Sequence, residues 1–190
     1  MAIGARKAAG KGRLIDKPLD FLISRTLRPK IRARFGGRVK AMVSGGAPLN
    51  PDVGVFFDAM GLTMLQGYGQ TESAPVVSCN FPSAGIRLDT VGPPLRGVEV
   101  TMAQDGEILI RGELVMHGYW RNEAETAKAL VPDPAMPGKG PWLHTGDIGV
   151  LDDEGYLKIV DRKKELIITS GGKNISPANL EGALKMIPLV

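Results

Sequence analysis

The stretch VKAMVSGGAPLNPDVGVFFDA, residues 39–59, decides the fold of this chain. Its first part, Val39 to Ser44, predicts a short buried strand, and glycines follow this strand directly. Asn50 is a typical helix N-cap and Pro51 suits the first turn, so we predict a helix from Pro51 to about Ala59. A strand, a glycine turn and a helix in this order are typical of an α/β layer.

Further along the chain, apolar and polar residues alternate as they do in strands. VEVTMAQDGEILIRG alternates around Asp105-Gly106, and IGVLDDEGYLKIV alternates around Glu154-Gly155. Both stretches predict hairpins, because a glycine at this point suits a tight turn. Residues 91–160 are therefore expected to form a small antiparallel sheet or barrel attached to the α/β part.

The last part of the chain predicts a third hairpin and a helix. The hairpin is expected in ELIITSGGKN, residues 165–174. Ser176 and Pro177 suit the N-cap and the first turn of the helix that follows. One face of this helix would carry Leu180, Leu184 and Ile187.

Composition limits the classes of function. With 190 residues, 43% of them hydrophobic, the chain can bury a core in one or two domains. A single cysteine, Cys79, excludes an internal disulfide framework and a four-thiolate zinc site, and two histidines, His117 and His144, leave little for another metal cluster. No apolar run approaches the roughly 20 residues of a membrane helix, and no secretory signal is evident. We therefore expect a cytoplasmic protein.

Residues 1–40 form a basic segment, in which twelve Lys or Arg stand against Asp16 and Asp20. This segment also contains an apolar stripe at helical spacing, with Pro29 as an expected kink or break. The stripe consists of Leu19, Leu22, Ile23, Leu27, Ile31 and Phe35. We favour a surface helix that packs this stripe on a core, because no aromatic residues alternate with the basic ones as in a platform for nucleic-acid bases. Peripheral contact with an anionic membrane stays open, and nucleic acid is not expected as a partner.

The stretch QGYGQTES, Gln66 to Ser73, places two glycines around a tyrosine. Glycine allows a sharp turn or a close approach of the backbone to a ligand. Tyr68, Thr71 and Glu72 offer a flat ring, a hydroxyl and a carboxylate, which could hold a base, a phosphate and a metal. The alternative is a strand, a turn and a helix start with Thr71 or Ser73 as its cap, and for these residues alone this alternative is favoured.

Two other stretches place polar groups near strands. WLHTGDIG puts Asp147 in a glycine-bounded turn just before a strand, where a carboxylate can accept hydrogen bonds from the vicinal hydroxyls of a ribose. A turn aspartate without a ligand is the commoner case. The charged run DRKKE, residues 161–165, is typical of a solvated link between strands. No Ser/His/Asp or Cys/His arrangement suggests nucleophilic catalysis.

In their order along the chain, five stretches resemble the superfamily of adenylate-forming acyl-CoA ligases, adenylation domains and luciferases. They are SGGAPL (44–49), QGYGQTE (66–72), GEILIRGELVMHGYW (106–120), HTGD (144–147) and YLKIVDRKKELIITSGGKNISP (156–177). Together they cover most of the chain from Val39 onward, and five motifs at consistent intervals are far more specific than any one of them. The details look most like bacterial long-chain fatty acid CoA ligases.

The resemblance implies an acyl-CoA synthetase-like α/β fold in three parts. Residues 1–90 would be the end of the α/β part of the large AMP-binding domain. Residues 91–161 would be an antiparallel, barrel-like β subdomain. Residues 162–190 would contain the hinge and the start of the C-terminal domain. The phosphate loop and the C-terminal lysine of the superfamily do not occur in the sequence, so we expect a central-to-C-terminal piece that cannot complete the reaction alone.

The resemblance also implies roles for single residues. Tyr68 would lie against adenine, Thr71 would bind the α-phosphate, Glu72 would hold Mg2+, and Asp147 would bind both ribose hydroxyls with Arg162 as a further donor. Thr71 and Glu72 would be the catalytic residues. The whole nucleotide-binding set would be Gly45, Gly46, Ala47, Gln66, Gly67, Tyr68, Gly69, Thr71, Asp147 and Arg162. Lys164 would be the hinge, and the coenzyme A channel would be formed by Gly171, Gly172 and Lys173.

The implied reaction activates a fatty acid with ATP and Mg2+. The carboxylate attacks the α-phosphate, pyrophosphate leaves, and the thiol of coenzyme A opens the acyl-adenylate. Two alternatives stay open. One is another adenylate-forming enzyme, which would act on an amino acid or on an aryl or short-chain acid. The other is a non-enzymatic binding module that uses the basic segment.

Overall fold

The computed structural model describes residues 16–47, 49–165, 167–168, 174–175, 177–184 and 187. The chain divides into two compact units, Met1–Gln66 and Gly67–Val190. The three-part division expected from the sequence stays a prediction. Within the described residues, no helix combines the length and the hydropathy that a membrane span requires.

Among the described residues of the first unit, the first element is helix α1, Asp16–Arg34. The expected break at Pro29 is wrong, because α1 continues through this residue. Arg28 joins α1 to the next helix: its Nε donates to the carbonyl of Ala59 at 2.9 Å, and its guanidinium pairs with Asp20 at 2.5 Å. The apolar stripe is not packed throughout, since the Leu22 side chain is 58% exposed. Leu27 and Phe35 are exposed as well.

Strand β1 (Ala41–Ser44), helix α2 (Pro51–Ala59) and strand β2 (Thr63–Tyr68) follow in the predicted order. Asn50 caps α2 by accepting the N–H of Asp52 at 2.8 Å, which confirms the predicted helix start. β1 and β2 run parallel, from Ala41 opposite Thr63 to Ser44 opposite Gln66. The prediction that β1 is buried is wrong, because Val43 is 68% exposed on the open face of the strand.

In the second unit, the end of β2 pairs antiparallel with strand β3 (Ser78–Cys79). A 3-10 turn, Thr71–Ser73, lies between them. The cap of this turn is Gln70, rather than Thr71 or Ser73 as the alternative interpretation had it. The Ser73 hydroxyl instead accepts the N–H of Gln70 at 3.0 Å.

The second unit contains an open antiparallel sheet of five strands. Its strands are β4 (Glu99–Met102), β5 (Glu107–Arg111), β6 (Leu130–Val131), β7 (Trp142–Leu151) and β8 (Leu157–Arg162), with helix α3 (Glu123–Ala129) before β6. The order is β4-β5-β7-β6, and β8 also pairs with β7. Both predicted hairpins are confirmed, as β4–β5 and β7–β8. Of the two expected arrangements, the antiparallel sheet is confirmed and a closed barrel is wrong, because the sheet does not close. The core consists of Val77, Ile108, Ile110, Leu143 and Leu157.

The third hairpin is confirmed at its ends, where β9 (Ile167–Ile168) pairs antiparallel with β10 (Asn174–Ile175). Helix α4, Pro177–Leu184, follows and starts at the predicted proline. Ile187 lies beyond α4, so the prediction that this residue shares a helix face is wrong. Ser176 and the predicted coenzyme A channel, Gly171 to Lys173, lie outside the described residues.

Candidate functional site

Asp147 lies inside β7, not in a turn before a strand as expected. Leu109 is opposite His144 and Glu107 is opposite Ile148, so β7 has two more residues than β5 between these pairs. The extra residues form a β-bulge, in which Gly146 has φ +72°. The predicted turn before a strand is therefore wrong, because the strand continues on both sides of the bulge.

Asp147 is 8% exposed, and its side chain is held by two residues of the QGYGQTES stretch. The Tyr68 hydroxyl donates to Oδ2 at 2.7 Å, and Gln70 Nε2 donates to the same oxygen at 2.8 Å. On the other side, Oδ1 lies 3.8 Å from Arg162 Nε. The structure thus brings together three predicted residues, Tyr68, Asp147 and Arg162, and adds Gln70.

Tyr68 is kept as a neutral donor. Burial, followed by the hydrogen bond to Asp147, raises the pKa of its phenol far above the ordinary value of 10.0. A neutral hydroxyl can donate to a carboxylate, whereas a phenolate would repel it. Tyr68 is therefore bound to Asp147 through its hydroxyl while its ring remains the flat group that the sequence analysis identified.

Gln70 was not predicted as a site residue. Its Nε2 also donates to the carbonyl of Thr145 at 2.8 Å, so this side chain ties the turn after β2 to the bulge. The signal in the sequence was weak, since a glutamine after a glycine has no special meaning by itself. Only its contact with a residue 77 positions away reveals its role.

Thr145 fixes the shape of the bulge from inside. Its hydroxyl donates to the carbonyl of Ile108 at 2.7 Å and accepts the N–H of Asp147 at 3.1 Å. A hydroxyl can do both at once because it carries one donor and two lone pairs. The backbone at Asp147 is therefore held by a side chain where the regular ladder is interrupted.

Glu107, 5% exposed, lies beneath the same bulge. Its carboxylate accepts the N–H of Gly146 at 2.8 Å, binds Lys163 Nζ at 3.0 Å and lies 3.2 Å from His144 Nδ1. Burial acts to raise the pKa of this carboxyl, but Lys163, the Gly146 N–H and His144 outweigh it and leave the pKa below the ordinary value. Lys163 also pairs with Asp105 at 2.6 Å. This cluster was not predicted, because a charged run such as DRKKE is usually a solvated link between strands.

Arg162 and Lys164 lie at the end of β8 and just beyond it. Arg162 is opposite Asp147 across the two strands, and its side chain is 72% exposed. A turn follows, in which the N–H of Glu165 donates to the carbonyl of Arg162 at 3.0 Å. The predicted hinge residue, Lys164, is exposed in this turn.

Thr71 and Glu72 belong to the 3-10 turn. Thr71 is exposed and Glu72 is half-buried. The Tyr119 hydroxyl, another group that the sequence analysis missed, donates to Glu72 Oε1 at 2.9 Å. Burial, followed by Glu72, raises the pKa of Tyr119. The described residues hold no group of three His, Cys, Asp or Glu that could form a metal centre by itself. A single carboxylate fits Mg2+ that is held mainly through phosphate oxygens.

Gly69 joins the strand end to this turn, and only glycine fits there. A Cβ at this position would lie 1.9 Å from the carbonyl oxygen of Pro75 and 2.7 Å from its carbonyl carbon. Such a contact is with backbone, so it cannot be relieved by a side-chain rotation. Gly67 is less restricted, because a Cβ there would lie 3.2 Å from the Ser78 carbonyl oxygen.

The other predicted residues lie in the first unit. Gly45, Gly46 and Ala47 directly follow β1, and Gly46 has φ +79°. Gln66 is buried, and its Oε1 accepts the N–H of Leu49 at 3.4 Å. These residues stand at the carboxyl ends of two parallel strands, which is where α/β sheets commonly bind ligands.

Comparison with known proteins identifies the family of this chain. Residues 13–120 match the family described as AMP-binding enzyme. The long-chain-fatty-acid–CoA ligase FadD15 of Mycobacterium bovis is 42% identical over 93% of this chain. The chain spans 28% of the length of that relative.

Solved structures support the fold class. The O-succinylbenzoate coenzyme A synthetase MenE of Bacillus subtilis, in complex with ATP and magnesium ion, is 32% identical over 80% of this chain and 32% of its own, with a TM-score of 0.69. The amide bond synthetase McbA of Marinactinospora thermotolerans is 33% identical over 77% of this chain and 30% of its own, with a TM-score of 0.62. The predicted acyl-CoA synthetase-like fold is confirmed, and the chain belongs to the family of AMP-binding enzymes.

Proposed function

We propose that this chain is the nucleotide-binding and hinge-containing part of a long-chain fatty acid CoA ligase. The complete reaction would join the fatty carboxylate to the α-phosphate of ATP with release of pyrophosphate. The thiol of coenzyme A would then attack the acyl carbon and release AMP. The similarity to FadD15, whose name states this activity, supports the proposal for the acid.

The observation that best supports nucleotide binding is the buried carboxylate of Asp147 on a β-bulge. A buried charge is costly unless hydrogen bonds compensate it. Here both donors, Tyr68 and Gln70, use the same oxygen, Oδ2, and the exposed guanidinium of Arg162 lies near Oδ1. This arrangement suits the vicinal hydroxyls of a ribose, which would donate to the carboxylate while Arg162 acts as a further donor.

Adenine would be bound by residues whose side chains are flat or small. Tyr68 offers its ring, and Gly45, Gly46 and Ala47 offer a turn without large side chains. Gln66, Gly67 and Gly69 would support the adenine and phosphate side through their backbone positions.

The phosphates would lie near the 3-10 turn. Thr71 would donate its hydroxyl to the α-phosphate, and Glu72 would provide a carboxylate for Mg2+. When bound, Mg2+ would stabilise the charge that develops on the phosphate oxygens. Tyr119 would orient Glu72 through the hydrogen bond to Oε1.

Two further assignments belong to the same proposal. Lys164 would be the hinge, because it is exposed in a turn at the end of β8 and a hinge residue must absorb a large change in φ and ψ. Gly171, Gly172 and Lys173 would line the coenzyme A channel. A cytoplasmic protein that touches an anionic membrane through α1 would fit the exposed Phe21 and Leu22 beside Arg25.

The proposal is tested in a chimaera in which residues 39–190 replace the matching segment of FadD15. We expect acid-dependent exchange of pyrophosphate into ATP with long-chain fatty acids, followed by acyl-CoA formation. A panel of fatty, aryl and amino acids identifies the acid. Loss of exchange with every acid, in a chimaera that is folded, would contradict the proposal.

A second candidate is activation of a different acid. The names of the similar solved structures, an O-succinylbenzoate coenzyme A synthetase and an amide bond synthetase, favour this option over a non-enzymatic module. The same panel distinguishes the two, because an aryl acid would then support exchange better than a fatty acid.

The hinge assignment predicts separate effects on the two half-reactions. Lys164→Pro fixes φ near −65° and should stall transfer to coenzyme A by about 10-fold or more, while pyrophosphate exchange stays largely intact. Lys164→Ala is the matched control and should leave both steps nearly unchanged. Both half-reactions are measured in the chimaera. Equal loss in both steps, or in neither, excludes the hinge.

A further inference from the structure

The carboxylate of Glu107 lies beneath the bulge of β7, and Glu107 is not one of the proposed nucleotide-binding residues. Both of its oxygens have partners: Oε1 accepts the N–H of Gly146, while Oε2 lies 3.0 Å from Lys163 Nζ and 3.2 Å from His144 Nδ1. The residue is buried, and a buried carboxylate needs such partners. Asp105 shares Lys163 with it from the β4–β5 turn.

The partners of Glu107 are adjacent in sequence to the two residues proposed to hold the ribose. Gly146 precedes Asp147, and Lys163 follows Arg162. Asp147 and Arg162 face each other across β7 and β8, and the N–H of Lys163 donates to the carbonyl of Gly146 at 2.8 Å. Glu107 therefore binds both strands one residue away from the candidate ribose site.

The bulge explains this contact. Where a bulge interrupts the ladder, an amide that has lost its ladder partner needs an acceptor outside the regular pattern. Glu107 is that acceptor for Gly146, whose φ of +72° belongs to the bulge. On the other strand, Arg162 is paired with Asp147 through its backbone while its side chain is exposed, and the ion pair of Lys163 with Glu107 adds a side-chain link at the end of this strand.

We propose that Glu107 is a positioning residue for nucleotide binding, which clamps the bulge that carries Asp147 to the strand end that carries Arg162. The inference rests on the proposed function. Glu107 itself would not contact the nucleotide. It would set the distance between Asp147 and Arg162, which would contact the ribose.

The clamp is tested first in the 190-residue chain by amide hydrogen exchange. Glu107→Gln keeps the size of the side chain and removes its charge. We expect exchange about 10-fold faster in both segments, 142–151 and 158–165, because a charge-assisted hydrogen bond is replaced by a weaker one. Lys163→Met is the matched control and should accelerate exchange only in 158–165.

Exchange in β5 reports whether the sheet remains folded. If Glu107→Gln loses the sheet, Glu107→Asp provides the test, because it keeps the charge but withdraws the carboxylate by one methylene. It should loosen the same two segments. Unchanged exchange in 142–151 for a folded variant would overturn the proposal.

The nucleotide role is tested by ATP binding to the chimaera in the presence of Mg2+. Glu107→Gln should weaken binding about 5- to 20-fold, with a smaller loss for Lys163→Met. If the parent chimaera binds ATP and its Glu107→Gln variant binds it equally well, this inference alone is wrong. If the folded parent chimaera does not bind ATP, the proposed function and the nucleotide role of Glu107 are both contradicted.

Discussion

Asp147 and Glu72 are the two carboxylates proposed for opposite parts of the nucleotide, and the protein holds them differently. Asp147 is buried and receives two side-chain donors on one oxygen, from a strand that three other strands support. Glu72 is half-buried on a short turn, where one phenol binds its side chain. The proposed ribose side is therefore shaped by the sheet before a ligand arrives, whereas the proposed phosphate side depends more on what the ligand brings.

The largest expected effect follows from removing the better-held carboxylate. Asp147→Ala should weaken ATP binding about 100-fold or more, because two charge-assisted hydrogen bonds of roughly 1.5–3 kcal/mol each would be lost. The variant should also be less stable, since the buried Tyr68 hydroxyl loses its acceptor. ATP affinity is measured by calorimetry in the chimaera.

Asp147→Asn is the control for that experiment. It keeps an oxygen for Tyr68 and Gln70, so it should restore most of the stability but not the affinity. Unchanged ATP affinity in both variants would show that Asp147 does not bind the ribose and that the sheet shapes this carboxylate for another purpose.

The next effect concerns Gly69, which connects the end of β2 to the 3-10 turn that carries Glu72. Gly69→Ala should lower the free energy of unfolding by about 2–3 kcal/mol, because its Cβ would overlap the backbone of Pro75. Gly138→Ala is the matched control, since a Cβ there meets nothing within 4 Å. Urea unfolding of the 190-residue chain measures both. Equal stability of the two variants would mean that the turn can shift without cost.

A smaller effect is expected on the phosphate side. Glu72→Gln keeps the shape and removes the charge, so adenylation should fall about 10-fold while ATP affinity changes less. Tyr119→Phe removes only the hydrogen bond to Glu72 and should have a weaker effect of the same kind. Pyrophosphate exchange is titrated with Mg2+ in the chimaera. If variant and parent respond to Mg2+ identically, Glu72 is not a ligand.

The smallest expected effect is the pH dependence of the stability that Glu107 contributes beneath the bulge. The pKa of Glu107 is lowered in the folded chain, so its contribution to stability is present above the ordinary pKa of 4.5 and is lost as the pH falls through the folded value. Glu107→Gln lacks this contribution. The stability difference between parent and variant should be about 1 kcal/mol near pH 7 and should shrink below pH 4.5. A difference that stays constant from pH 7 to pH 3 would contradict the assignment.

Local chemistry made much of the fold predictable. Asn50 and Pro51 fixed the start of α2, and the glycines at 106 and 155 located both hairpins of the large sheet. The course of β7 was not predictable in the same way. A glycine and an aspartate in sequence indicate a bend, and whether the strand resumes its ladder afterwards depends on β5 and β8, which lie elsewhere in the chain.

The residues of the candidate site also differ in whether the sequence alone could identify them. Tyr68, Asp147 and Arg162 were named through the resemblance, and the structure places them together. Gln70 and Glu107 were missed, because their meaning comes only from partners that the fold brings near. Charged residues in a short link, such as Lys163, are usually solvated. No local sequence pattern indicates that one of them binds a buried carboxylate, as Lys163 binds Glu107.

The bonds around Asp147 also have a consequence for the order of folding. They join residues separated by 79, 77 and 56 positions, from Tyr68 and Gln70 to Asp147 and from Glu107 to Lys163. Contacts between distant residues form slowly, because the loop between them must close first. During synthesis, the strand that carries Asp147 emerges before Lys163, so the carboxylate is made before its surroundings are complete. Nucleotide binding should therefore appear late in refolding, after the hairpin β4–β5 and after most of the helical signal.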